Sequence, residues 1–280
     1  MDKRRFSRFL IPVLCLALAL PACSTAALFS TSTPMPTPTP HPLPTLTPEP
    51  LDTGWQALES GAEQRLVRVA VGSLEERLVL VRLDPARFRF RVRYTPGAGQ
   101  AVSQWAAQTP ALLVVNGGYF TPEYQATGLL VSDGQTYGLS YGDFAGMFAV
   151  LPGGRVQLRW LAAQPYDAQE MLLEAVQSFP MLVKPGGVLG FPPEADDGRT
   201  ARRTVIAQDR AGRILLIAAP RGAMTLHDMA RWLVESDLDL DVALNLDGGQ
   251  STGLYLSTGN PLIHVDSLVA VPAVIVVERR

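Results

Sequence analysis

Hydrophobic and polar residues alternate along several short segments of the chain, as they do in β-strands that have one buried face. Residues 87–94 alternate arginine with phenylalanine, valine or tyrosine without a break. Because successive side chains of a strand point to opposite faces, this pattern predicts a strand with one face in the core. Residues 65–71 and 77–83 look like its neighbours, with a turn at Gly72-Ser73 between them. This part of the chain is therefore expected to form a group of adjacent strands.

Strand and turn signals continue through the rest of the chain. Residues 147–151 and 155–160 flank the turn sequence Pro152-Gly153-Gly154 and predict a hairpin. Residues 203–208 are expected to pair with residues 214–218 in the same way. Shorter apolar runs predict further strands at residues 112–115, 128–131, 242–244, 254–256 and 273–277.

Helical patterns are fewer than strand patterns. The clearest covers residues 226–235, where Thr225 and Asp228 fit a capping box and the apolar residues form one stripe. Short helices are also expected near residues 103–108 and 166–177. Many strands, few helices and mostly hairpin-sized turns predict a single α+β domain with a largely antiparallel or mixed β-sheet core.

The predicted domain covers residues 51–280 and is preceded by two segments of different composition. Residues 1–22 combine a basic start with a short apolar core, which is typical of a lipoprotein signal peptide. Cys23 is the expected lipidated residue, although an ordinary signal peptide with an incidental cysteine is the alternative. Residues 23–50 are rich in proline and threonine and predict an extended stalk. We expect an extracytoplasmic domain that is anchored to the bacterial membrane through lipid.

Composition and missing motifs argue against several classes of function. The chain has 280 residues and a net charge of −2, which gives no electrostatic footprint for nucleic acid. With Cys15 removed and Cys23 lipidated, the domain has no cysteine, and its histidines are His227 and His264. His227 lies off the apolar stripe of its helix, so a solvated residue is a simpler interpretation than a ligand. Without a zinc pattern, P-loop or dinucleotide fingerprint, no metal or cofactor is expected.

Two predicted strands end in an amide or a carboxylate that is followed by two glycines. Glycine lacks a Cβ atom, so such a strand end can turn sharply and allow a ligand to approach the backbone. We expect the two strand ends to line one cleft. The segments are Asn116-Gly117-Gly118 and Asn245-Leu246-Asp247-Gly248-Gly249.

The polar residues at these strand ends suit the binding of a sugar. Amides and hydroxyls bind ring hydroxyls, and a carboxylate such as Asp247 can stabilise or attack an oxocarbenium-like centre. Arg203 could hold an anion such as phosphate, because a guanidinium matches its oxygens bidentately. The alternatives are a surface arginine at position 203 and a turn carboxylate that bonds only its own glycine amides at position 247.

A serine esterase is the competing interpretation of the same region. Residues 249–253 match the G-x-S-x-G pattern around Ser251, which requires the chain to pass directly from strand to helix. The residues that follow predict a strand instead. His264 and Asp266 also follow in the wrong order for the triad, so this reading is not favoured.

Six segments, in order, resemble the phosphodiester glycosidase family and cover roughly residues 60–277. The resemblance implies an exported or luminal domain that cleaves a sugar from a sugar-1-phosphodiester, here an N-acetylglucosamine-like sugar in envelope or exopolysaccharide glycans. The departures are Ala207, where the family usually has glycine, and Gln250, where a small residue is common. The segments are 115–120, 128–134, 179–183, 203–206, 225–230 and 244–252.

The resemblance also assigns residues to the cleft. It implies the catalytic residues Asn116, Arg203, Asn245 and Asp247. The expected substrate-binding residues are Gly117, Gly118, Gly248, Gly249, Ser251 and Thr204. Two alternatives stay open: a carbohydrate-binding lipoprotein without turnover, and a metal-dependent phosphodiesterase. The second would need Glu123, Asp133 or Asp143 to fold next to Asp247.

Overall fold

The computed structural model describes residues 51–259 and 262–280. These residues belong to one compact unit that spans Pro48–Arg280. The predictions of a signal peptide, a lipidated Cys23 and a stalk concern residues 1–50 and lie outside the described residues. Within the described ranges, no helix has the length and apolar character needed to cross a bilayer.

The described residues form two α-helices, α1 (Val102–Ala107) and α2 (Leu226–Glu235), together with eighteen β-strands. In chain order the strands are β1 (Gln56–Glu59), β2 (Ala62–Val71), β3 (Leu74–Leu83), β4 (Phe88–Tyr94), β5 (Leu113–Asn116), β6 (Leu130–Ser132), β7 (Gln135–Tyr137), β8 (Gly146–Val150), β9 (Val156–Trp160), β10 (Glu174–Ser178), β11 (Met181–Lys184), β12 (Val188–Leu189), β13 (Arg203–Asp209), β14 (Ile214–Ala219), β15 (Leu240–Asn245), β16 (Leu254–Leu256), β17 (His264–Val265) and β18 (Ala273–Arg279).

These strands form three sheets. The first has the order β1-β2-β3-β14-β13-β15-β11-β12, the second β7-β6-β10-β8-β9, and the third β17-β16-β5-β18-β4. Every pairing between these strands is antiparallel. The expected antiparallel β core is therefore confirmed. The described part is mainly β, with less helix than the α+β class suggests.

The main hydrophobic core lies between the sheets, and each helix covers an outer face. Strand β3 shows the division: Val79 and Val81 face the main core, whereas Leu78 and Leu80 face a second cluster that includes Met229 of α2. Successive side chains of β3 therefore enter different hydrophobic clusters, as expected for a strand that is covered on both faces. Helix α1 packs on the third sheet through Val102 and Trp105.

Two local predictions are confirmed by their hydrogen bonds. Strands β13 and β14 pair in the expected hairpin, with Val205 opposite Ile217. At the start of α2, the Thr225 hydroxyl accepts a bond from the Asp228 backbone N–H at 3.1 Å, and the Asp228 carboxylate accepts one from the Thr225 N–H at 3.1 Å. Helix α2 begins and ends at the predicted residues.

The predicted helix at residues 166–177 is wrong. Its first part is a turn, in which the Asp167 carboxylate accepts a bond from the Gln169 N–H at 2.9 Å. Its second part is strand β10, whose five residues are all buried. Strand β10 pairs with both β6 and β8, so burial between two neighbouring strands overrides the local preference for helix.

The ends of strands from all three sheets meet at one place. The Asp247 N–H donates to the Gly117 carbonyl at 3.2 Å, which joins the end of β15 to the end of β5. The Asn245 N–H donates to the Pro180 carbonyl just beyond β10 at 3.0 Å, and the Leu246 N–H donates to the Thr204 carbonyl of β13 at 2.9 Å. The two Gly-Gly strand ends of the sequence are thus brought together.

Candidate active site

Asn116 is fully buried, and its amide group is used entirely by the protein. Its Nδ2 donates to the Asp247 carbonyl at 2.7 Å and, more weakly, to the Gly117 carbonyl at 3.3 Å. Its Oδ1 accepts bonds from the Thr204 hydroxyl at 2.8 Å and the Gly253 N–H at 3.0 Å. Asn116 and Thr204 therefore hold the backbone around Asp247 and have no free polar atom for a sugar.

The glycines of the two strand ends are required by close backbone packing. A Cβ atom at Gly117 would lie 3.1 Å from the Ala273 carbonyl oxygen, and one at Gly118 would lie 3.0 Å from the Gln177 carbonyl oxygen. At Gly248 it would lie 2.8 Å from the Arg202 carbonyl oxygen. These three residues act by allowing the strand ends to approach each other.

The Asp247 carboxylate lies at this junction and is partly buried. Its Oδ1 accepts a bond from the Gly248 N–H at 2.9 Å. Burial raises the pKa of Asp247 to about 6, against the opposing effect of hydrogen bonds from Ser251 and from the Gly248 backbone. A carboxylate with this pKa is ionised at neutral pH and is a stronger base than an exposed aspartate.

Asn245 lies beside Asp247 and has one free acceptor. Its Nδ2 donates to the Tyr119 hydroxyl and to the Phe179 carbonyl, both at 2.9 Å. The Tyr119 hydroxyl donates in turn to the Phe179 carbonyl at 3.0 Å. The Asn245 Oδ1 is buried and makes no hydrogen bond with the described residues. Buried acceptors normally have a partner, so this oxygen is a candidate contact for a ligand or a water molecule.

The Arg203 guanidinium is held by backbone carbonyls. Its Nη2 donates to the Arg199 carbonyl at 2.7 Å and its Nε to the Met224 carbonyl at 3.3 Å. Burial lowers the pKa of Arg203, whereas Tyr119 and two aspartates, Asp196 and Asp197, act in the opposite direction. Among the described residues no carboxylate forms an ion pair with Arg203.

The charges of Asp247 and Arg203 both act on the Tyr119 hydroxyl. Burial is the main cause that raises its pKa; the negative charge of Asp247 adds to this effect and the positive charge of Arg203 opposes it. Both charges therefore act on one phenol. A cation and a basic carboxylate that both act on one partly buried tyrosine can polarise a substrate that carries a phosphate.

The esterase interpretation finds no support in the geometry. The segment Gly249–Ser251 is a single 3₁₀ turn, and strand β16 follows it. Ser251 bonds the Asp247 carboxylate. His264 stacks on Tyr255 with centroids 4.1 Å apart. Asp266 accepts from the Ser103 hydroxyl at 2.6 Å.

The carboxylates proposed for a metal site are not gathered around Asp247. Asp133 pairs with Arg91 at 2.8 Å and with Arg93 at 2.7 Å. Within residues 51–259 and 262–280, His, Cys, Asp and Glu side chains form no group of three or more that could hold a metal ion. A cavity of about 510 Å³ that is lined in part by Asp133 and Glu174 contains none of the predicted catalytic or substrate-binding residues in its lining.

The sequence profile of the phosphodiester glycosidase family matches residues 109–278, which is more than half of the chain. This range contains both Gly-Gly strand ends, Arg203 and Asp247. The chain belongs to the phosphodiester glycosidase family. Membership indicates a hydrolase that acts on sugar phosphodiesters. A search of curated protein sequences finds no match.

Solved structures share this fold at low sequence identity. The catalytic domain of zebrafish N-acetylglucosamine-1-phosphodiester alpha-N-acetylglucosaminidase, auto-inhibited by its pro-peptide, is 18% identical with a TM-score of 0.61, over 83% of this chain and 85% of that one. A hypothetical protein from Synechocystis is 17% identical with a TM-score of 0.56, over 79% of this chain and 62% of that one. A putative exported protein from Burkholderia pseudomallei K96243 is 14% identical with a TM-score of 0.50, over 74% and 75%.

The aromatic residues of the candidate site were not singled out from the sequence. Tyr119 directly follows the first Gly-Gly pair and Phe179 directly follows strand β10, and both lie in segments that carry the family resemblance. Their rings lie 4.7 Å apart. The family segments could therefore have indicated that Tyr119 and Phe179 lie near the site. Their hydrogen bonds to Asn245 are visible only in the folded structure.

Proposed function

We propose that the chain hydrolyses the bond between the anomeric carbon of a sugar and the phosphate of a sugar-1-phosphodiester. The observation that carries this proposal is that two charged groups act on the same residue, Tyr119. They are Asp247, whose pKa burial raises to about 6, and Arg203, a half-buried cation that donates to the Arg199 and Met224 carbonyls. A site with one basic carboxylate and one cation suits a substrate whose leaving group is an anion.

Asp247 acts as the base or the nucleophile at the anomeric carbon. The bond between that carbon and the phosphate oxygen breaks, and its electron pair leaves with the phosphate monoester. Water supplies the new hydroxyl group on the sugar, and its second proton passes to Asp247 or to solvent. A phosphate monoester is a stable anion, so the reaction does not need the second carboxylic acid that protonates an alcohol leaving group in ordinary glycosidases.

The neighbouring residues take different parts in this proposal. Arg203 binds the phosphate, and the free Oδ1 of Asn245 accepts a bond from a sugar hydroxyl or N-acetyl N–H. Asn116 positions the backbone of Asp247, instead of binding the sugar directly, because its four hydrogen bonds go to protein atoms.

We also propose the setting and the substrate class. The basic and apolar start of the chain, Cys23 and the proline-rich segment support an extracytoplasmic protein anchored by lipid. The zebrafish relative is named for an N-acetylglucosamine-1-phosphodiester, which supports an N-acetylglucosamine-like sugar in an envelope or exopolysaccharide glycan.

Sugar release from an N-acetylglucosamine-1-phosphodiester tests the proposal. The purified chain and its Asp247→Asn variant are compared, each with and without a chelator. Release by the wild type alone, at the same rate with chelator, is the expected result. Loss of release with chelator would favour a metal-dependent phosphodiesterase, and binding without release would favour a carbohydrate-binding protein.

A further inference from the structure

Three aromatic rings form a partly exposed cluster beside the candidate site, and the proposed reaction gives these rings no role. Phe144 is 55% exposed, which is uncommon for so large an apolar side chain. Its ring centroid lies 5.6 Å from that of Phe179 and 5.9 Å from that of Tyr141, and Tyr141 meets Phe179 edge-on at 5.1 Å. We call Tyr141, Phe144 and Phe179 the aromatic platform.

The platform is joined to the catalytic strand end by hydrogen bonds. The Phe179 carbonyl accepts from the Asn245 Nδ2 at 2.9 Å, and Asn245 precedes Asp247 by two residues. Burial, and to a smaller extent the charge of Asp247, raises the pKa of Tyr141. The platform thus adjoins the strand end that carries Asp247, and its Phe179 ring also lies 4.7 Å from the ring of Tyr119.

The platform is held in place before any ligand binds. The Tyr141 N–H donates to the Oε1 of buried Gln177 at 2.8 Å, and the Tyr141 hydroxyl bonds the Thr127 hydroxyl. The Tyr141 ring packs so closely on Gly128 that a Cβ atom there would collide with it. A ligand that stacks on such a surface loses little affinity to the ordering of side chains.

The surroundings of the platform favour a sugar over a lipid. A pyranose ring has an apolar face of C–H groups and an edge of hydroxyl groups. Exposed Ser140, Gly142 and Asp143 flank Tyr141 and Phe144 in the sequence, so polar groups lie next to these two rings. Aromatic faces with a few polar groups beside them are typical of sites for small amphipathic ligands.

We propose that the aromatic platform stacks on the apolar face of the pyranose ring whose anomeric carbon lies at Asp247, so that it selects the sugar that is released. This inference rests on the proposed function, because that function places a sugar at Asp247. The phosphate, bound at Arg203, is not part of this stacking contact.

Binding of N-acetylglucosamine-1-phosphate to the Asp247→Asn variant, measured by calorimetry, tests the platform without turnover. In this background, Phe144→Ala is expected to weaken binding about fivefold to tenfold, which corresponds to the usual energy of an aromatic contact. Phe144→Tyr keeps a ring and is expected to stay within about twofold of the parent. Leu74→Ala is the matched control, because Leu74 is 56% exposed and lies at the start of β3. Binding of inorganic phosphate should not change in any of these variants.

The outcomes separate this inference from the proposed function. Equal binding by all variants, equal loss with Phe144→Tyr and Phe144→Ala, or no binding by the parent would overturn the platform, even if the wild type hydrolyses the diester. Loss of inorganic phosphate binding with Phe144→Ala would also overturn it. If Phe144→Ala selectively weakens the binding of N-acetylglucosamine-1-phosphate but the wild type releases no sugar, the platform would be supported and the proposed reaction refuted.

Discussion

The side chain of Asn116 supports the active site from inside the protein, and Asn116→Ala tests this role. The change leaves two buried groups without their partner, the Gly253 N–H and the Asp247 carbonyl. Each such group costs about 1–3 kcal/mol, so the free energy of unfolding should fall by about 2–6 kcal/mol. Thr204 is not counted, because its hydroxyl has a second acceptor in Thr252 at 3.2 Å. We expect a loss of about 3 kcal/mol, since a water molecule can replace part of the missing amide.

Urea denaturation followed by tryptophan fluorescence measures this loss. Thr204→Val is the comparison variant, because it keeps the Asn116 amide and removes only the Thr204 hydroxyl with its bonds to Asn116 and Thr252, so it should cost about 1–2 kcal/mol. Kinetics on the phosphodiester complete the comparison: a positioning role lowers kcat at permissive temperature, whereas a sugar contact raises KM. A fall in the free energy of unfolding of less than about 1 kcal/mol, together with a raised KM, would refute the positioning role.

Two further predictions concern the charged groups. Because burial raises the pKa of Asp247 to about 6, the folded protein binds this proton more tightly than the unfolded chain; its contribution to stability is full below about pH 4 and is lost as pH rises through about 6. Asp247→Asn should therefore abolish turnover yet raise the free energy of unfolding by about 2 kcal/mol near pH 8 and little near pH 4, and equal effects at both pH values would contradict the shift. Arg203→Ala should weaken inhibition by inorganic phosphate about 10-fold to 100-fold. The exposed neighbour Arg199→Ala should not, because only its backbone carbonyl contacts Arg203, and a similar loss in both would assign the effect to general charge.

The sequence predicted the strands that have their own periodic pattern and missed those that depend on neighbours. The strand at Phe88–Tyr94 and the helix at Leu226–Glu235 carry alternation and a capping box, so they were predicted directly. Strand Glu174–Ser178 has no alternation of its own, because it is buried on both faces between two partners. A pattern read from one segment cannot contain such information about distant partners.

The same limit applies to the site. The two Gly-Gly strand ends predicted that Asn116 and Asp247 lie together, and the Gly117 to Asp247 backbone bond places them so. The sequence could not show that the Asn116 amide is bonded within the protein whereas Asn245 keeps an oxygen without a partner among the described residues. Both residues are asparagines at the end of a strand that precedes a Gly-Gly pair. Burial and hydrogen-bond partners distinguish them, and both depend on three-dimensional packing.

The backbone of Asp247 is fixed on both sides while its side chain is held lightly. The main-chain N–H and carbonyl are bound by Gly117 and Asn116, whereas in the part of the chain that the structure describes the carboxylate is bound by Gly248 and Ser251. Replacing the carboxylate with an amide therefore leaves the shape of the cleft intact. An immobilised Asp247→Asn protein is accordingly a reagent for capturing the natural glycan from cell-envelope extracts, because it can retain a bound ligand that it no longer degrades.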